Sequence, residues 1–130
     1  MEKTSGAIIK KGEKFLLLKR SNTKVFNDYW SLPGGHVEKN EYSKEAVKRE
    51  IKEETNLDFE PIFLKKYFEN FSNFNWKAEV KIFYGKFKGN VKIDKESSDF
   101  RWFSLKEIKE MKLAFNHNKI IGDFVKLKCL

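Results

Sequence analysis

Gly34-Gly35-His36-Val37-Glu38, followed after a polar turn by a run ending Glu50-Ile51-Lys52-Glu53-Glu54-Thr55-Asn56-Leu57, is the stretch that decides the fold. Residues 44–55 carry the apolar spacing and good helix formers expected of an α-helix. On 3.6 residues per turn, Glu50, Glu53 and Glu54 stand at i, i+3 and i+4, within roughly 100° of helix surface. Lys44, Lys48 and Lys52 form a stripe on the other side, with Val47 and Ile51 between. Three carboxylates on one face repel one another, each like-charged i,i+4 pair costing a few tenths of a kcal/mol. A cation offsets that repulsion, and hard carboxylate oxygens suit Mg²⁺, with Mn²⁺ able to substitute. Gly34-Gly35 ahead of the helix permits backbone shapes barred to other residues and a close approach by a ligand.

The surrounding composition narrows the class. At 130 residues, with 40% apolar and 15% aromatic side chains, the chain reads as one domain, residues 1–130, with a sizeable core. No apolar run is long enough to span a bilayer, and Met1-Glu2-Lys3-Thr4 has no signal-peptide pattern. The single Cys129 has no internal disulfide partner, which agrees with a cytoplasmic location. The net charge of +8 raises the question of an anionic partner. Yet only Arg20, Arg49 and Arg101 of the 27 basic residues are arginine, and the lysines are scattered. Arginine is the better reader of bases and phosphates, so most lysines are read as solvating the surface. No helix-turn-helix or RNA-binding signature supports a nucleic-acid partner.

Outward from the central stretch, Thr4–Lys11 and Lys14–Arg20 read as strands joined at Gly12-Glu13 in a tight antiparallel hairpin. Their apolar runs, Ala7 to Ile9 and Phe15 to Leu18, suit strands buried on both faces. Residues 21–29 read as a surface loop, Trp30 to Pro33 as a strand end or turn, and His36 to Glu38 as a short strand. Ser43 is the expected N-cap of the helix and Asn56 its left-handed C-terminal residue. Ile62 to Phe71 and Trp76 to Phe87 read as strands, the second half-buried, with Ala78, Val80, Ile82 and Tyr84 on one face. Asp99 to Phe103 is a further strand. Ser104-Leu105-Lys106-Glu107 is a capping box that opens a helix to about Met111. Residues 116–127 carry Ile120, Ile121, Phe124 and Val125 at helical spacing. Strands, helix, strands, helices in this order predict an α/β (α+β) fold, a mixed β-sheet between helices.

Gly35, five residues, Glu41, seven residues, Arg49-Glu50-Ile51, one residue, Glu53-Glu54, one residue, then Asn56-Leu57 resembles the 23-residue signature of the Nudix hydrolases. Eight of nine defined positions agree, and Asn56 stands where the family usually has Gly. That position ends the helix, and Asn is the next-best residue for a left-handed cap. Trp30, Leu32-Pro33-Gly34-Gly35 and Val37-Glu38 also look like the family's approach to its box. The resemblance implies an α/β/α sandwich and a Mg²⁺-dependent hydrolase of nucleoside diphosphates linked to another moiety. It implies metal ligands at Glu50, Glu53 and Glu54 and at the Gly34 carbonyl. Glu53 or Glu50 would handle the attacking water, with Glu96 and Asp99 as distal carboxylate candidates. Arg49, four residues before Glu53, is expected to pair with the carboxylates of the face. Glu41 is expected to be structural.

Substrate-contacting residues are less sharply marked. Arg20 either reaches a phosphate or forms a surface ion pair. Asn116 either reads a purine edge or, like Asn118, caps the last helix. Phe26, Tyr29, Phe71, Phe74 and Trp76 flank loops and either stack on a base or pack inward. His36 and His117 lack a nearby His or Cys partner for a metal. The substrate implied is a nucleoside triphosphate, oxidised ones included, or ADP-ribose, and the protein is expected to be a monomer or homodimer. The alternative on the same fold is a non-catalytic nucleotide sensor. Such sensors usually lose box carboxylates, and this chain keeps them.

Overall fold

The computed structural model describes residues 1–128, and Cys129 lies outside the described residues. Ten strands and three helices follow one another: β1 (Glu2–Ile8), β2 (Lys10–Lys11), β3 (Lys14–Arg20), β4 (Trp30–Ser31), β5 (Gly34–His36), α1 (Ser43–Thr55), β6 (Asp58–Phe59), β7 (Ile62–Phe71), β8 (Trp76–Tyr84), β9 (Phe87–Lys88), β10 (Ser97–Ser104), α2 (Leu105–Lys109) and α3 (His117–Lys128). One mixed sheet has the order β5-β1-β8-β7, with β1 and β8 parallel and its other pairs antiparallel. A second sheet runs β10-β3-β2, with β4 also on β3, and β6 pairs with β9.

Alternation of side chains across the strands divides the core in two. Ala7, Ile9, Leu16, Leu18 and Phe83 meet Val47 and Ile51 of α1. Ile8, Phe15, Leu17, Val80 and Ile82 meet Ile108 of α2 and Ile120, Ile121 and Phe124 of α3. Helices therefore cover both faces of the sheet structure, the sandwich expected from the order of elements. The runs Ala7 to Ile9 and Phe15 to Leu18 are buried throughout because each has an apolar layer on both sides.

Several boundaries differ from the sequence reading. The expected hairpin survives only as β2 on β3, with Lys10 opposite Phe15 and Lys11 opposite Lys14. Residues 2–8 instead form β1 in the other sheet, where seven residues pair with β8. Ile9 makes the crossover, its carbonyl accepting from the Leu16 N–H at 2.9 Å. Helix α1 starts one residue early, with Tyr42 as N-cap in place of Ser43, and Glu45 Oε1 accepts the Tyr42 N–H at 3.0 Å. The glycines belong to β5 rather than preceding it. Strand β8 stops at Tyr84, because Gly85 is pressed against the Glu60 carbonyl, and Phe87 turns into β9. Helix α2 ends at Lys109, not Met111. Asn56 closes α1 as expected, at φ 67°, its N–H donating to the Lys52 carbonyl at 3.0 Å. Among the described residues no helix is long and apolar enough to cross a membrane.

The two central glycines are required for different reasons. A Cβ on Gly34 would run into the Ser5 carbonyl oxygen and the Gly6 backbone, neither of which can yield without breaking β1–β5 pairing. A Cβ on Gly35 would run into the Glu50 carboxylate, the far end of a flexible side chain. Gly34→Ala is therefore expected to cost about 3 kcal/mol and Gly35→Ala about 1 kcal/mol. Denaturant unfolding checks this, and equal losses would contradict it.

Candidate functional site

Docking of α1 through Val47 and Ile51 sets where its carboxylates fall. Glu54 turns inward and is only 9% exposed. Its Oε1 accepts the Gly34 N–H at 2.8 Å. Burial pushes the Glu54 carboxyl well above the usual carboxylate range. The Gly34 N–H opposes that rise, and the charges of Glu50, Asp94 and Glu96 add to it. Glu50 lies one turn earlier, half-buried over Gly35. Burial raises its carboxyl too, against the pull of Arg49. Glu53 flanks them with a 56% exposed side chain.

Arg49 ties the acidic face together. Its Nε and Nη2 grip both oxygens of Glu41, at 2.8 and 3.0 Å. Nη1 reaches Glu50 Oε1 at 2.9 Å and Glu53 Oε2 at 3.3 Å, and Nη2 also donates to the His36 carbonyl at 3.0 Å. This fork is a fixed, bidentate anchor of the kind a lysine cannot supply. The Arg49 hydrogen bonds, with the Glu38 N–H, hold the Glu41 carboxyl down at about 2. The Arg49 pairing and the structural place of Glu41 agree with the spacing of the box.

The donor set suits a hard divalent cation: clustered carboxylates, two of them raised by burial in one another's company. Among the described residues no three acidic, His or Cys side chains are grouped to hold an ion as they stand. Arg49 engages Glu50 and Glu53, and Gly34 engages Glu54. An incoming cation would draw Glu50 and Glu53 away from the guanidinium.

Beside this face opens a cavity of about 1100 Å³, lined among others by Gly34, Gly35, Glu54, Arg20 and Glu96. Among the described residues Arg20 makes no ion pair. Its Nε and Nη2 donate to the Val25 carbonyl at 3.1 and 3.0 Å, and its guanidinium lies 5.0 Å from the Phe115 ring centre. Burial lowers its pKa, offset by the charges of Glu54, Glu96 and Glu69. Glu96 reaches the cavity but Asp99 does not; Asp99 Oδ2 pairs with Arg101 at 3.3 Å. Asn116 also fails to line the cavity, and its Oδ1 is buried without a partner, so the structure gives no support to Asn116 as a substrate contact. Asn118 does not cap α3. It accepts the Leu113 N–H at 2.8 Å and donates to the Met111 carbonyl at 2.9 Å. Phe74, Trp76 and Phe115 line the cavity, while Phe26 packs among Tyr29, Phe71, Phe74 and Phe115.

Glu69 escaped the sequence reading, and His117 figures there only as a candidate metal ligand. Glu69 is 6% exposed on the inward face of β7, and Oε1 accepts the Trp76 Nε1–H at 3.0 Å. Burial raises its carboxyl, while Trp76 and Arg20 favour the anion. The signal was present: Tyr67, Glu69 and Phe71 alternate along a strand whose inward positions are otherwise apolar. His117 is buried, and its Nδ1 accepts the Leu32 N–H at 3.0 Å, so the proton of the neutral ring sits on Nε2.

The sequence matches the NUDIX domain family over residues 2–124. The chain belongs to this family and is a Nudix hydrolase. It is 36% identical over 123 residues to an ADP-ribose pyrophosphatase of Methanocaldococcus jannaschii, covering 93% of this chain and 71% of the relative. It is 31% identical over 123 residues to an 8-oxo-dGTP diphosphatase of Buchnera aphidicola, covering 94% and 91%. The crystal structure of a MutT protein from Methanosarcina mazei superimposes with a TM-score of 0.84 at 27% identity, covering 98% of this chain and 94% of that one.

His117 joins the Leu32 loop, and so the glycines, to α3. Burial pushes its pKa down to about 3 from 6.5. A depressed pKa means that its contribution is complete above pH 6.5 and is lost as pH falls towards 3. His117→Gln is expected to flatten the fall in melting temperature between pH 7 and pH 4 relative to the parent. Parallel profiles would contradict the buried neutral histidine.

Proposed function

We propose that the protein, as one Nudix domain over residues 1–130, is a Mg²⁺-dependent pyrophosphohydrolase of a nucleoside diphosphate derivative. The substrate is a nucleoside triphosphate, oxidised ones included, or ADP-ribose. The observation that carries this reading is the buried Glu54 carboxylate, held by the Gly34 N–H beside Glu50 at the rim of a nucleotide-sized cavity. The names of the two relatives, an ADP-ribose pyrophosphatase and an 8-oxo-dGTP diphosphatase, support the substrate class.

In this reading Glu50, Glu53 and Glu54, with the Gly34 carbonyl, hold the cation. A bound Mg²⁺ supplies charge neutralisation on the phosphoryl oxygens and a more nucleophilic water. Water attacks a phosphorus of the anhydride and the bridging P–O bond breaks. A nucleoside monophosphate leaves with a phosphate-bearing product. Glu53 or Glu50 takes the proton of the attacking water, and burial of Glu50 raises its affinity for a proton. Arg49 positions the carboxylates. Arg20, without an ion pair among the described residues and lining the cavity, meets a phosphate. Glu96, whose charge acts on both Glu50 and Glu54, is the distal carboxylate in this reading.

The test is a panel of nucleoside triphosphates, 8-oxo-dGTP and ADP-ribose with Mg²⁺, reading phosphate and pyrophosphate release. Glu54→Gln is expected to lose activity by on the order of 100-fold or more. Its melting temperature without metal is expected to hold or rise, because an amide removes the buried charge and still accepts from Gly34. Full activity in Glu54→Gln, or in the parent protein with EDTA, would overturn the reading.

A further inference from the structure

Glu69 stands apart from the acidic face of α1, yet at 6% exposure it is as deeply buried as Glu54, and nothing above assigns it a task. It sits opposite Ala78 of β8 on an inward-facing position of β7, the edge strand of its sheet. A carboxylate at such a position costs free energy unless each oxygen has a donor. One oxygen has one: Oε1 takes the indole N–H of Trp76 at 3.0 Å. Oε2 has no hydrogen-bond partner among the described residues, and Glu69 is part of the cavity lining.

The neighbours say what kind of group would meet it. Phe74, Trp76 and Phe115 line the same cavity and offer aromatic faces to a planar ring. Arg20, Glu54, Glu96 and Glu69 line the same cavity, near enough for the charge of Arg20 to act on all three carboxylates. A nucleotide with its phosphates at Glu54 would carry its base towards Glu69. The Trp76 indole fixes the orientation of the carboxylate, leaving a single acceptor directed at the base.

We propose that Glu69 Oε2 accepts a hydrogen bond from the exocyclic amino group of the substrate's base, selecting amino-bearing bases over their oxo counterparts. The proposal rests on the nucleotide reading above. A site built around a hydrogen bond rejects the analogue that lacks its donor, because the buried acceptor is then left unpaired or faces another acceptor. Glu69→Gln inverts the code. Its amide oxygen keeps the Trp76 N–H, and its NH₂ turns to the base as a donor.

The test compares ATP with ITP, CTP with UTP and GTP with XTP as substrates in Mg²⁺. In parallel, equilibrium binding of the matching nucleoside monophosphates is measured by calorimetry. The parent protein is expected to favour the amino member of at least one pair by about tenfold or more in kcat/KM and in affinity. Glu69→Gln is expected to abolish or reverse that preference at an unchanged melting temperature. Trp76→Phe, which frees the carboxylate without changing its charge, is expected to weaken the preference without reversing it. Equal treatment of both members of every pair by the parent protein would overturn the proposal. So would a preference that survives Glu69→Gln, or an equal loss for both members, the pattern of a ribose contact. The monophosphate arm separates the two readings. A Glu69-dependent binding preference without any hydrolysis would sink the hydrolase reading alone, and hydrolysis without such a preference would sink this one alone.

Discussion

The Gly34 N–H donates to a carboxylate that is almost wholly out of water, and the arrangement of the site depends on that bond. Glu54 is carried inward because Val47 and Ile51 dock α1 on the sheet, and apolar burial outweighs the cost of desolvating one charge. A hydrogen bond to a charged group in a poorly solvated place is worth more than one at the surface. It can form only because β5 lies close to β1 and to the helix. The places that side chains would fill at Gly34 and Gly35 are taken by the Ser5–Gly6 backbone and by the Glu50 carboxylate. Sheet pairing, glycine and helix docking thus converge on one acidic corner.

Around that corner the electrostatics separate into two guanidinium roles. Arg49 is saturated by Glu41, Glu50, Glu53 and the His36 carbonyl, which makes it part of the scaffold. Arg20, among the described residues, bonds only to a carbonyl and lies against Phe115, with the charges of Glu54, Glu96 and Glu69 near it at the cavity. The lysines behave otherwise. Pairs such as Lys52–Asp58 at 3.2 Å and Lys66–Glu79 at 3.4 Å lie at the surface, where each contributes little. The net charge of +8 therefore describes the solvated exterior more than the site.

The box was legible because local periodicity and glycine chemistry write it into contiguous residues. Helix α1, its Asn56 cap, and the pairing of Arg49 with the acidic face all follow from spacing within residues 41–57. The sandwich was legible from element order and from apolar runs buried on two sides. What sequence did not show depends on partners far away along the chain. Residues 2–8 leave the hairpin for a parallel pairing with β8, some seventy-six residues on (Glu2 opposite Ala78). The Leu32–His117 bond spans 85 positions, and no local pattern announces it. Asn116 stands out in one dimension as a substrate contact or a helix cap, but its neighbours Phe115 and His117 line the cavity and it does not. Glu96 and Asp99 are likewise separated: Glu96, just before β10, lines the cavity, whereas Asp99, past the bulge at the start of β10, pairs with Arg101.

The central claim is that the Gly34–Glu54 corner, with Glu50 and Glu53, is where a divalent cation sits. Titration of the isotope-labelled protein with Mn²⁺, followed by paramagnetic broadening of amide resonances, tests it without reference to any substrate. The account predicts that Gly34, Gly35, Glu50, Glu53 and Glu54 broaden first and together, and that excess Mg²⁺ restores them. Broadening centred elsewhere, or none at these five residues, would contradict it.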